Sequence, residues 1–182
     1  MPISSQSYPS PDEHSSPSGP TPSSPEVLVV PAEEFPLVSL SVHELDSRSD
    51  RNRFVMLREM LPLRHRLMLT PYSVEDYERE GARLFLVENN TGGFGLMPNG
   101  EIVSVFSLPG TGVGRFLIED AILRGGKRVE CFDIGNKLPK LYEQFGFREV
   151  DRIAWDHQRA PQNWYFDRYG TPDVVILDLQ VQ

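Results

Sequence analysis

A chain of 182 residues with a formal charge of −8 and a single cysteine is long enough for one domain of ordinary size and cannot be stapled by an internal disulfide. No apolar run approaches a membrane span, and no basic start with a hydrophobic middle marks a signal peptide, so a soluble, cytoplasmic protein is expected. The charge is uneven: seven acids and no lysine or arginine occur up to Asp46, while the remainder, with nineteen acids against eighteen bases, is nearly neutral, and a phosphate backbone needs concentrated positive charge, so nucleic acid is not the expected partner.

Residues 1–36 hold nine of the sixteen prolines, and nine serines fall in the first 24 positions. Such a segment cannot bury enough apolar surface to offset its ordering entropy, so a disordered, Pro/Ser-rich acidic arm over 1–36 and a folded domain over 37–182 are expected. Leu37 to Val42 alternates apolar and polar residues as a half-buried strand does. Phe54, Leu57 and Leu61 recur at helical spacing from about Asp50 until Pro62 stops the pattern. The arginines in and around this stretch, Arg48, Arg51, Arg53 and Arg58, read as a solvated helix face. A second helix starts at Ser73, whose hydroxyl can cap the following amides, and ends at Gly81.

Leu84 to Val87, Gly93 to Met97 and Ile102 to Phe106 form an antiparallel meander, with Asn99-Gly100 at a tight hairpin turn that requires positive φ. After a glycine-rich turn, Phe116, Leu117, Ala121 and Ile122 suit a helix that stops at Gly125-Gly126, followed by a strand from Val129 to Ile134. Cys131 lies in that apolar strand pattern and is expected in the core. Asn136 is a plausible N-cap of the next helix, Pro139 fits its first turn, and Leu138, Leu141, Tyr142 and Phe145 share one face until Gly146. Arg148 to Trp155 and Val174 to Leu179 complete the strands, joined by a loop dense in Trp164, Tyr165, Phe166 and Tyr169 that buries on the sheet or selects a partner. The fold class is mixed α/β, with a central, mostly antiparallel sheet of about seven strands and about four helices. His14, His43, His65 and His157 are far apart in sequence and no Cys/His cluster has ligand spacing, so no metal is expected.

The chemistry concentrates between Ser104 and Phe147. Gly110, Gly112 and Gly114 form a Gly-x-Gly-x-Gly turn at a helix start, where bare amides and the helix dipole can hold a phosphate. Tyr142, one helix further on, offers a phenol. The words "GTGVGRFLIEDAI" and "LPKLYEQFGFREV", within this element order, resemble the GNAT superfamily of N-acetyltransferases over about Leu37 to Gln182. The resemblance implies acetyl-CoA as cosubstrate. Gly110, Thr111, Gly112, Val113, Gly114 and Arg115 would cradle its pyrophosphate, the strand end at Phe106, Ser107 and Leu108 would pair with the pantetheine arm, and Tyr142 would protonate the departing thiolate. Asn136, a helix cap by its position, is carried as a further contact. Pro109 stands where the family usually opens this motif with glutamine or arginine, and it brings no donor.

Transfer to an amine also needs a base, for which Asp133 at one strand end and Glu101 at the start of another are the candidates. The acceptor is a small-molecule or protein amine that the sequence does not name. A second reading keeps the fold without the activity: a binding or assembly component, such as a phage virion protein, that uses residues 1–36 to hold a protein partner.

Overall fold

The computed structural model describes residues 40–180; the arm expected over 1–36 and the first residues of the strand expected at Leu37 lie outside them. The elements in chain order are β1 (Val42–Glu44), α1 (Arg48–Glu59), α2 (Leu63–Arg66), α3 (Val74–Arg79), β2 (Arg83–Val87), β3 (Gly92–Leu96), β4 (Glu101–Ser107), α4 (Gly114–Leu123), β5 (Arg128–Phe132), α5 (Lys137–Glu143), β6 (Phe147–Ile153), α6 (Phe166–Tyr169) and β7 (Val174–Leu179). Seven strands form one sheet in the order β1-β2-β3-β4-β5-β7-β6. Only β4 and β5 pair in parallel; every other neighbour is antiparallel. The mixed α/β class and the mostly antiparallel sheet of the sequence reading are therefore present.

Several boundaries differ from expectation, each for a local reason. Among the described residues the first strand runs Val42–Glu44, past the expected end at Val42, because pairing with Phe85–Val87 fixes where it can form a ladder. Helix α1 begins at Arg48, two residues before Asp50, because the Ser47 hydroxyl accepts the Asp50 N–H at 3.0 Å and closes the first turn. Pro62 ends that helix and also starts α2, a single turn that sequence periodicity does not show. At the hairpin only Gly100 has positive φ, at +86°. Asn99 instead accepts the Glu101 N–H with its side-chain oxygen at 2.9 Å. Ser73 does cap α3, and the Asp76 carboxylate returns the bond to the Ser73 N–H at 2.9 Å, a reciprocal capping box.

The sheet is covered on both faces. Helices α4 and α5 pack on one through Val113, Leu117, Ile118, Ala121 and Tyr142, against Phe85, Ile102, Val129 and Cys131. Helices α1 and α3 pack on the other through Phe54, Leu57 and Tyr77, against Leu84, Leu86, Val103 and Phe106. Burying these two apolar faces is the main driving force of the fold. Because strand residues alternate in direction, the assignment of Ile102 to one face and Val103 to the other also places Glu101 on the α1/α3 side. The same argument from Val129 and Cys131 places Glu130 on that side.

Candidate active site

Strands β4 and β5 pair only at Glu101 with Arg128 and at Ile102 with Val129. Beyond those two pairs no β4–β5 pairing continues, and β4 also shifts register against β3 between Gly93 and Gly95. The extra residue of this bulge is accommodated with Ser104 at φ +52°, a left-handed conformation that a non-glycine residue adopts at a cost of about 1–2 kcal/mol. A buried chain of hydrogen bonds holds it there. The Tyr77 hydroxyl lies 2.5 Å from Ser104 Oγ, within hydrogen-bond distance, and accepts from Arg58 Nη1 at 2.7 Å. Arg58 is only 3% exposed and reaches Glu59 with its other terminal nitrogen at 2.8 Å. The expectation of a solvated arginine face therefore fails at Arg58, whose charge is spent inside the protein.

A cavity of about 300 Å³ occupies the gap between β4 and β5. Its walls include Glu101, Ser104 and Ser107 from β4, Glu130 from β5, Tyr142 from α5, and Tyr72 and His65 from the α2–α3 region. At the Ser107 end the chain turns tightly. Leu108 O accepts both the N–H and the hydroxyl of Thr111, at 3.2 and 2.7 Å, and Thr111 Oγ1 lies 2.9 Å from Ser107 Oγ. Gly110 and Gly112 follow with φ of +80° and +69°, and no heavy atom stands within 4 Å of where a Cβ would be on either.

Helix α4 then starts from Val113, which gives it no side-chain cap. The main-chain N–H groups of Gly110, Gly112, Val113, Gly114 and Arg115 have no hydrogen-bond acceptor among the described residues, whereas that of Thr111 is taken by Leu108. The arrangement is a set of unspent donors at the positive end of a helix dipole, beside a space open to an anion. The Arg115 side chain is turned away to Gln144 Oε1, at 2.6 Å, and stacks over Phe145.

The remaining candidates separate clearly. Tyr142 is 7% exposed, packs edge-on to Phe147, and its hydroxyl has no partner among the described residues although the residue lines the cavity. Burial raises its proton affinity well above that of an ordinary phenol, so it stays protonated at neutral pH and is not a base there. Glu101 also lines the cavity, and its carboxyl is pushed upward first by burial and then by the Glu130 carboxylate. Asp133 lies outside the cavity walls. It binds Arg152 Nη1 at 2.7 Å and the Asn136 N–H at 2.9 Å, and these hold its carboxyl below the usual range, with the Arg152 bond the larger cause.

Asn136 is exposed at φ +56° and does not cap α5 with its side chain. Phe106 is buried against Phe54, ring centroids 5.3 Å apart. Burial pushes the Cys131 thiol up to about 12, which removes it as a nucleophile at neutral pH. In the aromatic loop, Trp164 buries and donates Nε1–H to Gly170 O at 2.9 Å, while Tyr165 and Phe166 stay exposed; none of the three lines the cavity. Sequence reasoning missed Arg58, Tyr77, Ser104, Glu130, Tyr72 and His65. Only the capped α3 helix carried a signal, since it fixes which way Tyr77 faces.

No protein-family model matches the sequence, and no curated protein is similar to it in sequence. Solved structures do share the fold. A GNAT family acetyltransferase from Elizabethkingia anophelis with acetyl-CoA bound is 17% identical, covering 78% of this chain and 98% of its own, with a TM-score of 0.55. Spermidine N-acetyltransferase from Vibrio cholerae, in complex with CoA and spermine, is 23% identical over 76% of this chain and 93% of its own, with a TM-score of 0.53. A Bacillus subtilis acetyltransferase in complex with CoA is 15% identical over 79% and 99%, with a TM-score of 0.54. The chain thus has the GNAT fold that its two glycine- and tyrosine-bearing motifs suggest.

Proposed function

We propose that this protein is an acyl-CoA-dependent N-acyltransferase that moves an acetyl group from acetyl-CoA to an amine. The observation that carries the reading is the row of unpartnered amides from Gly112 to Arg115, in the turn and helix start that follow the end of β4 at Ser107, where that strand no longer pairs with β5. Those amides are accessible, with Gly110, Gly112 and Arg115 exposed, so an anion can reach them. Neighbouring folds solved with CoA or acetyl-CoA support the same assignment. When bound, acetyl-CoA supplies an acyl group activated as a thioester.

Gly110, Gly112, Val113, Gly114 and Arg115 hold the pyrophosphate through their main-chain N–H groups. Pro109 adds no donor, so anion binding rests on the backbone and the helix dipole. The β4 edge at Phe106 and Ser107 offers the main-chain groups that β5 leaves unpaired to an extended amide arm, whereas Leu108 has its N–H on Thr91 O and its C=O on Thr111. Glu101 takes the proton that the acceptor nitrogen loses as its C–N bond forms. Its upward-shifted carboxyl is a better base than Asp133, which Arg152 neutralises. Tyr142 gives its proton to the sulfur as the C–S bond breaks.

A thermal-shift titration tests donor binding: millimolar acetyl-CoA raises the melting temperature, and no shift would discard the reading. Turnover of Tyr142→Phe drops on the order of 10²-fold with near-normal stability if the phenol is a general acid. Unchanged turnover removes it from the mechanism.

A further inference from the structure

Glu101 and Tyr142 move protons, but neither answers the negative charge that builds on a carbonyl oxygen when an amine attacks the acyl carbon. The two ends of β4 set the place for a donor to that oxygen. Glu101 opens the strand and Ser107 ends it before the glycine turn, so the base lies at one end and the phosphate cradle at the other. Ser104 stands midway, about 10 Å along the strand from each. It lines the cavity.

The bulge decides which way the serine hydroxyl faces. Along an unbroken strand Ile102, Ser104 and Phe106 would share one side of the sheet. Ile102 does pack with the α4/α5 cluster, but Phe106 packs with Phe54 and Tyr77 on the other side. The switch falls at Ser104, whose φ of +52° goes with a side chain that meets Tyr77 of α3. Glu101 is on that same α1/α3 side, so the bulge brings a hydroxyl and a carboxyl to one wall of the cavity.

Hydrogen-bond counting then directs the serine proton. Tyr77 and Ser104 share one contact of 2.5 Å, which holds only one of their two hydroxyl protons. Tyr77 is 0% exposed and has no other acceptor among the described residues, because its remaining partner, Arg58, can only donate. Ser104 borders open space. A hydroxyl proton without an acceptor in the packed core is destabilising, so the tyrosine proton goes to Ser104 Oγ and the serine proton to the cavity. Arg58 keeps its positive charge at the head of the chain, and each bond in such a series strengthens the next donor.

We infer that the Ser104 hydroxyl is the donor to the acyl carbonyl oxygen during transfer, with Tyr77 and Arg58 as positioning residues that aim and polarise it. The assignment goes beyond the acyltransferase reading, since it names a side chain that stabilises charge and moves no proton, and it rests on that reading for the substrate.

Isotope-edited infrared spectroscopy of carbonyl-labelled acetyl-CoA bound to the full chain reads this bond without turnover. The carbonyl stretch lies at lower wavenumber in the native protein than in Ser104→Gly, and Tyr77→Phe falls between them. Ser104→Gly keeps the local backbone, because glycine adopts positive φ freely. Calorimetric titration with CoA, which has no acyl carbonyl, gives the same Kd for the native protein and Ser104→Gly. A band at one position in all three proteins, or a Ser104→Gly that weakens CoA binding as a misshapen cavity would, overturns the inference. Thermal protection by acetyl-CoA with an unmoved band discards Ser104 alone and leaves donor binding standing. No protection of the native protein and no bound band discard the acyltransferase reading and this inference together.

Discussion

Glu101 at the start of β4 and Asp133 just past the end of β5 look alike in sequence, each an acid at a strand terminus, yet the fold treats them oppositely. Asp133 has an arginine and a main-chain amide as partners and sits outside the cavity. Glu101 has a second carboxylate for a neighbour and lines it. What separates them is the geometry of the sheet: β4 and β5 touch at Glu101 and have parted before Asp133, where β7 and β6 close in and bring Arg152. A carboxyl that holds its proton more tightly is thus made by withholding partners, and a structural ion pair by supplying them.

The largest effect should come from breaking the contrast directly. Glu101→Gln lowers kcat/KM for acyl transfer on the order of 10²- to 10³-fold, while Asp133→Asn changes it less than about twofold; the reverse ranking in steady-state assays would exchange their roles. The same contrast appears in pH dependence. Glu101 acts as a base only when ionised, and its carboxyl is raised, so the acidic limb of the kcat/KM profile falls above the ordinary glutamate range near 4.5. In Glu130→Gln that limb moves to lower pH, because the like charge is gone.

Asp133 and Asp76 are shifted downward, Asp76 to about 2. Their stabilisation is fully present above about pH 4 and is lost as pH falls through their folded values. Acid unfolding followed by circular dichroism should show this. In Asp133→Asn the part of the acid transition due to that residue disappears.

A smaller change comes from the buried chain behind the cavity. Tyr77→Phe deprives Arg58 and Ser104 of their shared partner and should cost about 2–3 kcal/mol in urea unfolding. Ser104→Gly in the same background should restore part of it, since glycine adopts positive φ freely. The smallest effect is at the α3 cap, where Ser73→Ala should cost roughly 1 kcal/mol with no effect on turnover.

The parts of this molecule that sequence reveals are those whose causes lie close together in the chain. Ser73 lies directly before the helix it caps, and that cap is visible in the sequence; so are the glycine turn at Gly110 and Gly112 and the apolar run of Val174 to Leu179. The two motifs around Gly112 and Tyr142 were legible for the same reason. What stayed hidden depends on distant partners. Arg58 looks like any helix-surface arginine until Tyr77 is placed over it, and Ser104 gives no sign of a left-handed turn because its bulge is set by the register of β3. Glu130 gives no local sign of its place either, because only the β4–β5 register brings it into the same cavity wall as Glu101.

Strand β7 lies between β5 and β6, which meet only through it. During synthesis both flanking strands leave the ribosome before the segment that joins them, so the nascent sheet stays split until Val174 to Leu179 has emerged. Arg128 must wait for the same moment, since Asp178 arrives with that segment. A stalled or nicked chain ending before Val174 would therefore expose two unzipped edges at once, making this short stretch the final latch of cotranslational folding.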